Sequence, residues 1–253
     1  MSEHKKQKTI GSFFELGSAN AAEALNYSGL DYIIIDTEHG PFAEEKVMEL
    51  IRACKLGKLS PFVRIKEISR ASVLRMLDIG AEAIVVPCVE TVKQVKDLVK
   101  WGKYPPLGER GFFYGRAAAY GFEDFCSPLD LYFTRSNEGA MLIPQCETLG
   151  CLENIEEIAY MDGVDGIFVG PYDLSIALGK PGDFKTDEFR LAIENILAAC
   201  KRAGKAAMIY AANVETAMDQ LELGFDSVAV GTDIAFLVNS YKSMLKALKG
   251  ALG

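Results

Sequence analysis

Short apolar, β-branched runs alternate along the chain with longer stretches whose apolar positions recur at helical spacing. The runs at 9–14, 32–35, 61–65, 83–86, 141–145, 166–169, 206–210 and 227–230 predict strands. Several are hydrophobic without a break, Tyr32-Ile33-Ile34-Ile35 and Ala83-Ile84-Val85-Val86 among them. A strand covered on both faces, as in a parallel sheet, reads this way. The stretches between them carry helix punctuation. Asn20-x-x-Glu23 and Thr91-x-x-Gln94 fit the capping box. Gly57, Gly80, Gly204 and Gly224 stand where a helix can close through a left-handed residue. Met48, Ile51 and Cys54 or Lys55 share one helical face.

This gives eight strand-then-helix units with no low-complexity linker, which predicts one parallel (β/α)8 TIM barrel over 1–253. An open dinucleotide-binding sheet would want a G-x-G-x-x-G turn, and there is none. Residues 1–8 read as a polar tail. Residues 104–139, rich in aromatics, Gly and Arg, are expected to be a long inserted loop between a strand and its helix, serving as a lid, a binding loop or an oligomer contact.

Composition narrows the function. A net charge of −8 disfavours nucleic acid. The basic groups Lys5-Lys6-Gln7-Lys8 and Lys93/Lys96/Lys100 read as a solvated tail and an outer helix face. No apolar run is long enough to span a bilayer, and the polar amino terminus resembles no signal peptide. Six cysteines without a C-x-x-C pair read as free thiols in a reducing cytoplasm.

Barrel chemistry gathers at the carboxyl ends of the strands, so the polar residues there are the candidates. Asp36-Thr37-Glu38-His39 follows the second strand, and Arg64 and Lys66 end the third. Gln145-Cys146-Glu147 closes the fifth, and Gly170-Pro171-Tyr172-Asp173 follows the sixth. Glu147 and Asp173 suit a hard divalent cation with open positions for a 2-oxo acid; each could equally cap the helix after it. His39 has Asp36 and Glu38 nearby in sequence to orient it as a base. Arg64 either faces the mouth, where it would stabilise a developing enolate oxygen, or pairs structurally with a carboxylate. Lys66, of the same parity as Arg64, is the alternative nucleophile, for Schiff-base chemistry.

These stretches together resemble the HpcH/HpaI aldolases. The matching motifs are DYIIIDTEHGP at 31–41, VRI at 63–65, LDIG at 77–80 with Pro87, YPPxGxRG at 104–111, QCET at 145–148 and GVDGIFVGPYDLS at 163–175. The resemblance implies a metal-dependent carbon–carbon lyase of the aldehyde-lyase type. It would reversibly cleave a 4-hydroxy-2-oxo acid to pyruvate and an aldehyde through a pyruvate enolate. It also implies Mg²⁺, Mn²⁺ or Co²⁺ held by Glu147 and Asp173, with pyruvate gripped by Gln145 and by Gly170, Pro171, Tyr172 and Asp173. His39 would be the base, Asp78 would increase its basicity, Asp36 would be the acid near it, and Arg64 would face the enolate. A homo-hexamer is implied, with 234–248 apolar enough to dock on a neighbour or to close its own barrel. Cys146, Tyr172 and Phe42 depart from the commoner residues, and Tyr172 and Phe42 would reshape the aldehyde pocket if they line it. The alternatives are a lyase of the citrate-lyase β type acting on an acyl-CoA thioester and a non-catalytic barrel that binds 2-oxo acids.

Overall fold

A computed structural model describes residues 8–252. Eight strands, β1 (Thr9–Phe14), β2 (Tyr32–Asp36), β3 (Ser60–Arg64), β4 (Ala83–Val86), β5 (Met141–Cys146), β6 (Gly166–Val169), β7 (Ala206–Ala211) and β8 (Ser227–Thr232), close into a barrel in sequence order, each parallel to its neighbours. All eight predicted strands are present, with ends moved by a residue or two. The expected (β/α)8 barrel is the fold.

The unbroken hydrophobic runs follow from burial on both faces. Phe13, Tyr32, Ile34, Phe62, Val85, Ile143, Phe168 and Met208 point into the barrel and fill it. Their neighbours Phe14, Ile33, Ile35, Val63, Ile84 and Leu142 point outward under the helices and join the larger core. Side chains alternate along a strand, so the residue two beyond each inward hydrophobe faces into the carboxyl mouth. That parity places the site.

The helix punctuation is partly as expected. Thr91 and Gln94 form a complete capping box, and Gly80, Gly204 and Gly224 take positive φ. Asn20 does not cap its helix; Ser18 does, accepting from the Ala21 backbone N–H. Gly57 is not left-handed but gives room to the Asn26 side chain, which a Cβ there would strike. The helix Glu44–Cys54 buries Val47, Leu50, Ile51, Ala53 and Cys54, so the inward stripe is centred beside Met48 and excludes Lys55.

Residues 104–139 do not form a strand-to-helix loop. They follow the helix Val92–Gly102 and lead into β5, which puts them at the amino end of the barrel, away from the mouth. They contain the helix Leu129–Gly139, and Tyr104, Ala118, Cys126 and Tyr132 give them a small core of their own. The helix Asp233–Leu252 leaves the wall, exposed from Ile234 onward, and does not close its own barrel. Lys93, Lys96 and Lys100 lie on an outer helix face and pair with Asp97, Glu157 and Glu109. All six cysteines are free, and among the described residues no helix is long and apolar enough to cross a membrane. His4 and the stretch 5–7 lie outside the described residues; Lys8 donates to the Phe225 carbonyl.

Candidate active site at the carboxyl mouth of the barrel

The rows that begin with Ile34, Phe62, Ile143 and Phe168 continue upward as Asp36, Arg64, Gln145 with Glu147, and Gly170. A cavity of about 300 Å³ opens there, walled in part by Arg64, Gln145, Gly170, Tyr172 and Asp173, with His39 at its edge.

Arg64 is the fixed centre. Its Nε and Nη2 donate to the two oxygens of the fully buried Asp36 at 2.9 and 2.7 Å, and Nη1 lies 3.1 Å from Glu38 Oε2. The guanidinium carbon sits 4.8 Å from the centre of the Phe13 ring. Burial opposes the arginine's charge, but the bonds and charge of Asp36, with Glu38 and Glu147, outweigh it and hold the guanidinium above its ordinary value. Asp36 therefore does not orient the imidazole of His39 as expected. Its carboxylate is spent on Arg64 and on the backbone N–H groups of Glu38 and His39. The His39 side chain is 72% exposed, with Nε2 3.9 Å from Glu38 Oε2.

Glu147 is buried across the mouth. Oε1 accepts from the Cys88 backbone N–H at 2.7 Å, and Oε2 accepts from Gln145 Nε2. Burial first, then the nearby charges of Asp173 and Glu38, push its carboxyl above the usual value, while the bonds from Cys88 and Gln145 pull the other way. Cys88 takes φ 52°, a left-handed conformation that is costly for a side-chain-bearing residue and aims its N–H at Glu147. Gly170 gives clearance: a Cβ there would come within 2.5 Å of Glu147 Oε2. Asp173 stands in the first turn of the helix Pro171–Ala177 that follows. Gln145 Oε1 is buried without a hydrogen-bond partner.

Three expected residues lie elsewhere. Lys66 falls beyond the end of β3, where strand parity no longer holds, and opens into a separate depression with Thr37, Phe42 and Glu44. It is not placed for a Schiff base in this cavity. Phe42 shares that depression and does not line the mouth, whereas Tyr172 does. Asp78 ends the helix Arg70–Asp78, at the amino end of the barrel, where Arg110 Nη2 donates to it at 2.8 Å. Within one chain it cannot reach His39. The topology forbids it, because a helix running back from β3 finishes beneath β4.

Sequence reading did not single out Glu15, Cys88, Tyr210 or Thr232 as site residues, and it used Glu38 only as a neighbour of His39. Glu15 and Tyr210 were available from parity, two residues beyond Phe13 and Met208. Cys88 carried no such signal, because its contribution is a backbone N–H.

Residues 9–240 match the HpcH/HpaI aldolase/citrate lyase family. The chain belongs to that family. It is 32% identical over 247 residues to a hydroxypyruvate/pyruvate aldolase of Agrobacterium fabrum, covering 98% of this chain and 91% of that protein. A 2-keto-3-deoxy-L-rhamnonate aldolase of Salmonella typhi is 34% identical over 247 residues, covering 97% and 90%. A solved HpcH/HpaI aldolase/citrate lyase family protein of Burkholderia cenocepacia superposes with a TM-score of 0.89 at 32% identity, covering 97% of this chain and 96% of that one. This HpcH/HpaI chain is an aldolase, a carbon–carbon lyase of the aldehyde-lyase class.

Proposed function

We propose that this aldolase cleaves a 4-hydroxy-2-oxo acid to pyruvate and an aldehyde, reversibly, with the residues of this mouth. One observation carries the reading: the inward rows of β2, β3 and β5 and the turn after β6 bring Asp36, Arg64, Gln145, Glu147 and Asp173 together around a cavity edged by His39. Among the described residues no group of three or more His, Cys, Asp or Glu could hold a metal. The residues nonetheless fit a hard divalent cation that keeps open positions. Glu147 and Asp173 supply anionic oxygens, Gln145 Oε1 is a buried acceptor without a partner, and Gly170 leaves space where a Cβ would stand. Mg²⁺ or Mn²⁺ is the cation proposed, with Co²⁺ as a substitute. When bound, it would supply Lewis acidity toward the keto group.

The chain's own residues do the rest. Gln145 and the backbone of 170–173 hold the keto acid. His39 takes the proton of the C4 hydroxyl. The C4–O electrons close to a carbonyl, the C3–C4 bond breaks, and its electron pair stays on the pyruvate half as the enolate. Arg64, held by Asp36 and Glu38, presents its remaining N–H groups to that oxygen, a preorganised donor typically contributing about 3–4 kcal/mol. A proton returned to C3 gives pyruvate, and the aldehyde departs. Condensation is the reverse.

The proposal includes a homo-hexamer in the cytoplasm. Phe236, Leu237, Tyr241 and Leu245 are exposed on the projecting helix, and Asp78 could meet a His39 only on another copy. The test is metal removal. Chelation should abolish pyruvate release from a 4-hydroxy-2-oxo acid, and Mg²⁺ or Mn²⁺ should restore it. Full activity in the stripped protein would refute the metal's part.

A further inference from the structure

We propose that Glu15 makes the aldehyde half of this cavity selective for neutral, hydroxylated aldehydes and against those ending in a carboxylate, sulfonate or phosphate. The inference rests on the aldolase reading of the site and names its substrate class.

In an eight-stranded barrel closed in sequence order, β1 lies across the lumen from β5. Glu147 follows β5 and Glu15 follows β1, so a keto acid gripped beside Gln145 and Gly170 extends toward Glu15. Glu15 continues the inward parity of Phe13. Its backbone is tied down: the N–H groups of Glu15 and Leu16 donate to the Asp233 carboxylate at 2.9 and 3.0 Å. Around it stand Thr232 and two phenols, Tyr210 and Tyr172, whose rings are 6.2 Å apart. Phe13 meets Tyr210 edge-on at 5.7 Å. The wall thus offers aromatic surface, hydroxyls and one carboxylate.

Charge decides what it accepts. Among the described residues the cavity is lined by one permanent cation, Arg64, and all three of its nitrogens face Asp36 or Glu38. Glu15 forms no ion pair among the described residues. Burial, then the charges of Asp36 and Asp233, push its carboxyl above the ordinary value, while Arg64 and His39 pull it down. Glu15, Asp36, Glu38, Glu147 and Asp173 leave the mouth negative even after a dication and a keto-acid monoanion are added. An aldehyde with an anionic terminus would meet like charge and no cation left unpaired in the lining, a juxtaposition that binding sites reject strongly. A hydroxyl can donate to Glu15 and exchange bonds with Thr232 and the phenols.

The test compares condensation of pyruvate with D-glyceraldehyde and with succinic semialdehyde, under Mn²⁺, in the wild type, Glu15→Gln and Glu15→Arg. The wild type should favour glyceraldehyde in kcat/KM by about tenfold or more, the size of one charge-assisted hydrogen bond. Glu15→Gln should narrow that ratio and Glu15→Arg should reverse it. The inference is overturned by a wild type that takes succinic semialdehyde equally well, or by a ratio unmoved in Glu15→Gln. Exchange of pyruvate methyl protons in D₂O, followed by NMR on the wild type, needs no aldehyde. Its absence would sink the aldolase reading, whereas exchange without the aldehyde preference, or without condensation of either aldehyde, would sink only this one.

Discussion

Residues at this mouth are defined by what their neighbours already hold. Asp36 looks like a catalytic acid in the sequence, yet it is the anchor of Arg64 and faces no imidazole. Breaking such a buried pair by removing one partner typically costs about 3–5 kcal/mol, so the pair also fixes the site's geometry. Glu147 is the converse, a carboxylate whose surroundings resist its charge. Its folded pKa lies above its unfolded one. Its stabilising contribution is therefore greatest where it is protonated in both states and is lost as pH rises through the folded value. Above that, the ionised group destabilises the metal-free protein. Glu147→Gln, which keeps an acceptor for the Cys88 N–H, should raise the melting temperature of the metal-free protein at about pH 8 by about 2–4 °C for each kcal/mol relieved, and do little at about pH 4. Equal melting shifts at both pH values would show that Glu147 carries no such penalty.

At the scale of elements, sequence periodicity located every strand because each is buried on two faces, and such burial leaves little choice of residue. The insertion at 104–139 was misplaced for an equally physical reason. Its aromatics signal burial but not the end of the barrel at which they are buried, and that depends on whether a helix or a strand precedes them. Tyr104 is its keystone, stacked on Phe133 with ring centres 4.4 Å apart and covered by the Arg110 guanidinium at 4.8 Å. Tyr104→Ala should destabilise the fold by about 3–5 kcal/mol, as for other large buried aromatics. Denaturant unfolding measures this, and a loss under about 1 kcal/mol would mean that the insertion's aromatic cluster is not packed as described.

For the whole molecule, the projecting helix Asp233–Leu252 is the feature that a lone barrel does not explain. Phe236, Leu237, Tyr241, Met244, Leu245 and Leu248 are exposed along it, and runs of apolar surface of this kind mark contact sites. Light scattering should give a mass near that of the hexamer for the wild type and a smaller one for Leu245→Asp. An unchanged mass in the variant would argue that this helix takes no part in assembly. The sequence by itself determined the barrel, its strands and most of the polar residues at its mouth, because parity and two-sided burial are properties of neighbours along one chain. Only the tertiary structure decided that Asp36 serves Arg64, that Lys66, Phe42 and Asp78 stand apart from the cavity, that Glu15 lines it, and that the Cys88 backbone N–H holds Glu147. Which groups meet across the lumen depends on barrel closure and on where each strand ends, and neither is written in local spacing.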